Sequence, residues 1–443
     1  MQGRVSSIFA RKQSRCRARL GRICAVVLAC VIAAGICTAQ SAAPVIEVSN
    51  PSNSAAQQAK HYVVLVSLDG FRYDYAKKYG ATNLLKIAAQ GVSAPDGMIP
   101  SFPSLTFPNH YSIVTGLYPE HHGIVANTFY DPTRKENYAF NVLKSESDGT
   151  WYGGTPLWVL AQQQGMRAAC FFWPGSDAEI QGRRPSYYLT FDDSYPDEKR
   201  VEQVLAWLRL SPDKRPHFIT LYFGSTDHAG HNYGPESPET AEAVHHVDEL
   251  MGKLFEGINA SGLPVDLIVV ADHGMETVQG GWVSLDKWAD LSNFETSGSL
   301  LYPHSDADAE MAYESLKGAS DKFKVYRRDQ LPAYLHFDSN PRTGDPVVIP
   351  TGAYAITAHD PSAKSGSARM PPRGVHGYDP RQMPSMKAIF IATGPDIRSG
   401  ASVESFENVN VYPLVVSILG LNSGPVDGKL AALQGILKNH SKN

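Results

Sequence analysis

Four short stretches of the chain are apolar at nearly every position rather than at every second one: 62–68, 218–223, 267–271 and 388–392. Each is rich in β-branched or aromatic residues. Runs of this length without alternation read as strands buried on both faces, as in a parallel or mixed sheet. Between them the apolar spacing changes to 3.6 residues. Val201, Val204, Leu205 and Leu208 share one helix face, and so do Val244, Val247, Leu250, Met251, Leu254, Phe255 and Ile258. A third helix is expected over 81–90, stopping at Gly91, a usual residue just past a helix end. Strands alternating with helices predict an α/β fold, a mostly parallel sheet with helices on both faces. No linker, charge block or repeat interrupts the chain after His61, so one domain is expected over 61–425, with a tail over 426–443. The Ser, Ala, Pro and Gln of 40–60 read as a flexible lead-in.

The N-terminus has a different pattern. Seven positive residues (Arg4, Arg11, Lys12, Arg15, Arg17, Arg19, Arg22) precede an apolar run over 23–39 that ends on small residues. That is the plan of a secretory signal peptide over 1–39, cleaved before Gln40; an uncleaved membrane anchor is the alternative. Taking those seven from the 40 Lys and Arg leaves 33 against 44 Asp and Glu, a formal net of −11. So acidic a mature chain is ill suited to neutralising the phosphates of a nucleic-acid duplex. Cys16, Cys24, Cys30 and Cys37 lie in the leader, and Cys170 alone remains beyond it. With no intrachain disulfide possible, an exported protein of this kind fits a bacterial periplasm or a secreted form, with no membrane association after cleavage.

The chemistry gathers where strands end. The first three runs lead directly or within a few residues into carboxylates: Asp69, then Asp227 with His231 beyond it, then Asp272 with His273 beside it. Ligands of open α/β sheets bind outside the carboxyl ends of the strands. Carboxylates crowded there repel unless a cation lies between them. With His376, in a Gly-Val-His-Gly context, three carboxylates and three imidazoles make six ligands, enough for two zinc ions with open positions left for substrate. The pairs His121-His122 and His245-His246 are set aside, the second as the solvated side of a helix. Thr106 stands at the expected N-cap of a helix running to Gly116, with Pro108 in its first turn. A hydroxyl there faces free N–H groups and the positive end of the dipole, which favour an alkoxide or a phosphate oxygen.

The block from Ile99 to Glu120, containing Ser101, Ser104, Thr106, Phe107, Asn109 and His110, together with the block Phe172 to Asp177 and the order of the Asp and His motifs, resembles the nucleotide pyrophosphatase/phosphodiesterase (NPP) family of the alkaline phosphatase superfamily. The resemblance runs from about His61 to Leu421. It implies an alkaline-phosphatase-like fold and hydrolysis of nucleotide phosphodiester and pyrophosphate bonds through a covalent nucleotidyl-threonine on Thr106. It further implies that Asn127 holds a phosphoryl oxygen. One zinc would be bound by Asp227, His231 and His376, and a second by Asp69, Asp272, His273 and Thr106. Phe107, Phe140, Phe191 and Tyr222 match the base-binding positions, although the family more often has Leu at the position of Phe140 and Tyr at that of Phe191. Small nucleotide diesters are the expected partners. The alternatives are a choline-headed lipid diester, which aromatic rings also suit, and a phosphate monoester, which needs a further cation such as Arg183 or Arg184. A sulfatase is disfavoured, since its Cys-or-Ser-x-Pro-x-Arg motif is absent. A binding protein without activity would have lost one of these residues.

Overall fold

The computed structural model describes residues 44–361 and 370–438. The expected leader, 1–39, lies outside the described residues.

Among the described residues nine strands form one sheet: β1 (Ile46–Glu47), β2 (Tyr62–Leu68), β3 (Val92–Ser93), β4 (Ala168–Phe171), β5 (Tyr187–Leu189), β6 (Phe218–Phe223), β7 (Val265–Val270), β8 (Phe390–Thr393) and β9 (Ala401–Ser402). Their order across the sheet is β1-β5-β4-β6-β2-β7-β8-β3-β9. The five central strands β5, β4, β6, β2 and β7 are mutually parallel. β8 runs antiparallel to both β7 and β3, which makes the sheet mixed. Every residue of β2, β4, β6 and β7 is buried, as a strand covered on both faces must be. Helices Thr82–Gln90 and Asp197–Leu208 both pack against the long helix Pro238–Ser261, while Thr106–Thr115 packs with Val411–Leu419. The expected helix 81–90 thus starts at Thr82, and Gly91 closes it.

Between β7 and β8 the chain leaves the sheet. It builds three small two-stranded ladders, Val283–Ser284 with Ile356–Thr357, Phe294–Ser297 with Leu300–Pro303, and Phe323–Tyr326 with Val347–Pro350. These share a minor core that includes Leu285, Leu301, Leu316, Phe323 and Val348. A further ladder, Glu276–Thr277 with Gly374–Val375, pins the start of this excursion to its end.

The stretch 45–60, whose composition suggests flexibility, is fastened down. β1 pairs with β5, and buried Asn53 donates to Pro212 O and Arg215 O while accepting from the Arg167 amide. Composition cannot show that a small polar side chain will serve as a backbone partner for a distant loop. Residues 426–438 also lie on the sheet-bearing unit: the amides of Asp427 and Gly428 donate to Gly116 O, and Leu433 and Ile436 are buried. Cys170 is buried in β4 as a free thiol.

Candidate active site

The carboxyl ends of β2, β6 and β7 lie side by side, and all six expected ligands meet there. Asp69 follows β2 directly, its amide continuing the ladder to Phe223 O at 2.9 Å. Gly70 then turns the chain at φ +68°; a Cβ there would sit 2.9 Å from Asp227 Cα, so only glycine lets the two strand ends approach so closely. Asp227 and His231 are four residues apart on helix Ser225–Tyr233 and therefore share a face. Asp272 and His273 follow β7, and His376 arrives from the ladder that closes the excursion.

The hydrogen bonds fix which nitrogen of each histidine faces the site. A backbone carbonyl only accepts, so each Nδ1 must carry the proton. His231 Nδ1 donates to Gly374 O at 2.7 Å, His273 Nδ1 to Gly274 O at 2.9 Å and His376 Nδ1 to Ser104 O at 2.9 Å. When the rings are neutral, all three turn an Nε2 lone pair toward the carboxylates. His231 Nε2 lies 3.1 Å from His376 Nε2 and 3.4 Å from Asp227 Oδ1. His273 Nε2 lies 2.9 Å from Asp272 Oδ2 and 3.7 Å from Asp69 Oδ1. Two lone pairs facing each other at hydrogen-bond distance repel unless an electrophile sits between them. Asp69 Oδ1 and Asp227 Oδ1 are buried without a hydrogen-bond donor. Inward-facing Nε2 atoms on rings anchored through Nδ1, set among undonated carboxylate oxygens, fit divalent metal ions that would displace any proton from them.

The electrostatics reflect the crowding of these groups. Burial, and then the charges of Asp272 and Asp227, push the Asp69 carboxyl well above its usual range. Burial opposes ionisation of Asp272 as well, but His273 and His110 outweigh it and hold that carboxyl below the usual range. His376 is pushed well down by burial and by its neighbours His273 and His231, which keeps its ring neutral. On His273, burial resists the charge, but Asp272 prevails and raises it.

Thr106 is the first residue of helix Thr106–Thr115, and Leu105, extended at φ −115° and ψ 155°, is the N-cap. The expectation that Thr106 caps this helix is therefore corrected by one residue. Leu105 O accepts from the Asn109 amide, so the helix begins earlier and the Thr106 hydroxyl is released from capping. It lies 3.4 Å from His273 Nε2. Asn127 Oδ1 accepts from the Phe107 amide at 2.9 Å, which leaves its Nδ2 as the unbound end. The four aromatic candidates form two ring pairs. Phe107 and Phe140 have centroids 5.5 Å apart, and Phe191 and Tyr222 6.2 Å. Phe140 and Phe191 are exposed, at 40% and 45%, whereas Phe107 and Tyr222 are buried. Tyr222 also donates its hydroxyl to Asp69 Oδ2 at 2.7 Å, so it orients a candidate ligand besides presenting a ring.

Two residues that sequence reasoning missed support this arrangement. His110 is fully buried, its Nδ1 donating to Thr106 O at 2.9 Å and its Nε2 accepting from Ser67 Oγ at 2.8 Å. Distance alone groups Asp69, His110 and Asp272 as a possible metal set, and likewise Asp227, His273 and His376. With both nitrogens engaged, His110 offers no lone pair, and it acts by steadying the backbone of Thr106. Ser104 holds the other side: its carbonyl anchors His376 and its Oγ accepts from the Gly377 amide at 3.1 Å. Both stand in the block around Thr106, so the signal was the density of polar residues in an apolar segment.

The family model for type I phosphodiesterase / nucleotide pyrophosphatase matches residues 63–379. Human ectonucleotide pyrophosphatase/phosphodiesterase family member 1 is 37% identical over 396 residues, covering 85% of this chain and 42% of the relative. An uncharacterized pyrophosphatase/phosphodiesterase of Schizosaccharomyces pombe is 34% identical over 409 residues, 88% of this chain and 83% of the relative. The chain thus spans less than half the length of the human relative. Among solved structures, murine ectonucleotide pyrophosphatase/phosphodiesterase 5, as an inactive threonine-to-alanine variant in complex with AMP, superposes with a TM-score of 0.79 at 29% identity, covering 86% of this chain and 100% of that one.

Proposed function

The chain belongs to the type I phosphodiesterase / nucleotide pyrophosphatase family, and from that premise we propose that it hydrolyses nucleotide phosphodiester and pyrophosphate bonds, releasing a nucleoside monophosphate. The observation that carries this reading is the convergence of three imidazoles, each anchored through Nδ1 with its Nε2 facing inward, and two undonated carboxylate oxygens beside the Thr106 hydroxyl. In this reading Asp227, His231 and His376 hold one zinc ion, and Asp69, Asp272 and His273, with Thr106, hold the other. Bound zinc supplies Lewis acidity to the attacking and leaving oxygens of an in-line displacement.

The chain's own residues do the rest. Thr106 Oγ1 attacks phosphorus as the leaving group departs, forming nucleotidyl-threonine, and water then releases the nucleotide. Asn127 Nδ2 donates to a non-bridging oxygen, held in aim by its Oδ1 bond to the Phe107 amide. His110 fixes the carbonyl of Thr106 and so the direction of the nucleophile. Phe107 with Phe140, and Phe191 with Tyr222, flank the base, and stacking of this kind contributes about 1–3 kcal/mol per base. The murine structure, a threonine variant described as inactive and bound to AMP, supports both the nucleophile and the nucleotide. We assign the catalytic domain to 61–425 and place the mature protein outside the cytoplasm, in a periplasm or secreted. No helix among the described residues is long and apolar enough to cross a membrane.

A diester presents one phosphoryl charge and a monoester dianion two. Arg184, a candidate for the second charge, is held by Glu179 at 3.0 Å and by Asp177 O. The zinc-loaded enzyme should therefore hydrolyse a nucleotide diester with kcat/KM at least ~10²-fold above that for the same nucleotide monoester, equal to about 2.7 kcal/mol. Equal rates would replace this reading with a phosphatase, and a preference for a phosphocholine diester would replace it with a lipid diesterase.

A further inference from the structure

A recess that none of the four aromatic candidates lines opens beside the same reacting groups. Its volume is about 350 Å³, within the range of small-molecule sites. Three of its lining residues belong to the reaction centre: Leu105, next to the nucleophile, Asn127, and His376. The rest of the lining comes largely from the excursion between β7 and β8, including Trp282, Leu300, Val348 and Tyr354. Two hydrogen bonds fasten this wall close to the site. Ser297 Oγ donates to Thr128 Oγ1 at 3.0 Å, one residue beyond Asn127. The Tyr378 hydroxyl, two residues beyond His376, donates to Tyr354 O at 3.2 Å.

The lining is apolar and aromatic, with small neutral polar groups such as Ser299, and among the described residues it contains no Lys, Arg, Asp or Glu. Lys322 stands over the Tyr354 ring at 5.5 Å without lining the recess, and Arg373 lines a different hollow. A polyanion moved from water into such a lining would lack a counter-charge, which is costly. A nucleoside is uncharged, and rings such as Trp282 and Tyr354, both partly exposed, accept the face of any base.

In an in-line displacement the nucleotide that stays on phosphorus and the group that leaves it occupy different places. The four aromatic candidates take the base that stays. A recess that shares Leu105, Asn127 and His376 with the reaction centre fits the group that departs. We propose that this recess is the leaving-group subsite, and that it selects an uncharged, ring-bearing leaving group, a nucleoside rather than pyrophosphate. The proposal rests on the phosphodiesterase reading above and names its substrate class: a nucleoside 5′-phosphate esterified to a second nucleoside. Thr106 gives up its hydroxyl proton as Oγ1 bonds to phosphorus. The P–O bond to the second nucleoside breaks and that oxygen takes up a proton, so a neutral nucleoside departs.

The test compares two esters of AMP that differ only in the leaving group: adenylyl-(3′→5′)-adenosine, and adenosine 5′-methyl phosphate, whose methanol cannot fill the recess. ATP, with pyrophosphate leaving, is the third substrate. Wild type is set beside Trp282→Ala, which removes a ring from the wall, and Ser299→Trp, which fills the space. Each variant should lower kcat/KM for the dinucleoside ester about tenfold, as one lost stacking contact does, and leave the methyl ester and ATP within about twofold of wild type. An unchanged rate on the dinucleoside ester, or an equal loss on the methyl ester, overturns the subsite. An equal loss on ATP overturns its selectivity for an uncharged group. Binding supplies a second readout. In Thr106→Ala protein, calorimetry should give a Kd for the dinucleoside ester about tenfold below that for the methyl ester, and adding Ser299→Trp should erase the difference. Equal Kd values for the two esters in Thr106→Ala overturn the proposal, and this comparison decides it where a wall variant fails to fold. If wild type hydrolyses none of the three nucleotides, the phosphodiesterase reading fails by itself, and the binding difference still decides the recess.

Discussion

Replacing Asn127 separates two duties that one side chain performs. Its Oδ1 accepts the Phe107 amide at 2.9 Å at the start of the nucleophile's helix, and its Nδ2 is the end left for substrate. Asn127→Asp keeps an acceptor for the amide but puts an oxygen where the donor was. Loss of one donor to a developing oxyanion costs about 2.7–4 kcal/mol, a fall in kcat of roughly 10²–10³-fold. A carboxylate near a helix N-terminus is itself favourable by about 0.3–1 kcal/mol, so the fold should not suffer. Asn127→Ala loses both contacts. It should show the same fall in kcat, and in addition a loss of ~0.5–2 kcal/mol of stability, because the Phe107 amide loses its acceptor. Turnover at saturating nucleotide diester, read beside urea denaturation of the zinc-loaded protein, measures both. The refuting result is Asn127→Asp with wild-type kcat, which would make Asn127 a helix-capping residue and nothing more.

Four further outcomes are expected. Thr106→Ala should abolish steady-state turnover while retaining metal content and fold, and survival of turnover would remove Thr106 as nucleophile. Tyr222→Phe keeps the ring and deletes the bond to Asp69 Oδ2; metal affinity should fall about 10–100-fold, as for other outer-sphere partners, and an unchanged affinity in a metal titration would restrict Tyr222 to stacking. Chelation should abolish activity and zinc restore it, whereas activity in protein verified to be metal-free would show that the Asp and His cluster serves another purpose. His122 is fully buried, its Nδ1 accepting the Ile124 amide, and burial pushes its pKa down from 6.5 to about 3. The unfolded chain therefore takes up this proton first as pH falls, and the contribution of neutral His122, complete above about 6.5, should be lost toward pH 3 at about 1.4 kcal/mol per pH unit. Urea denaturation of His122→Gln between pH 4 and 6.5 should show a flatter slope than wild type, and identical slopes would exclude this linkage.

The strands and the ligand cluster were legible because both follow from local pattern. A run such as 62–68, apolar on both faces, has few alternatives to a buried strand, and a carboxylate at its end has nowhere to point but the crevice. What was not legible depends on partners remote in sequence. Whether Thr106 or Leu105 caps the helix turns on where the first carbonyl bond forms, which propensity does not specify. His110 sits in the same block as Thr106, but its role emerges only when Ser67, from β2, meets it. His122 and His121 are adjacent, yet one is fully buried and the other exposed; a paired motif carries no sign of which side faces in. The lead-in reads as flexible by composition because its anchors, Pro212, Arg215 and Arg167, lie more than a hundred residues away.

The excursion between β7 and β8 returns His376 to the site, and the return is fixed locally: Gly374 O accepts the Nδ1–H of His231 and Ser104 O that of His376. Nothing in that fixing depends on how many residues lie between Thr277 and Gly374. Closing a longer loop costs only about 0.6 kcal/mol per doubling of its length. The excursion can therefore change its length or its surface while His376 keeps its place, which leaves it free to diversify what approaches the site.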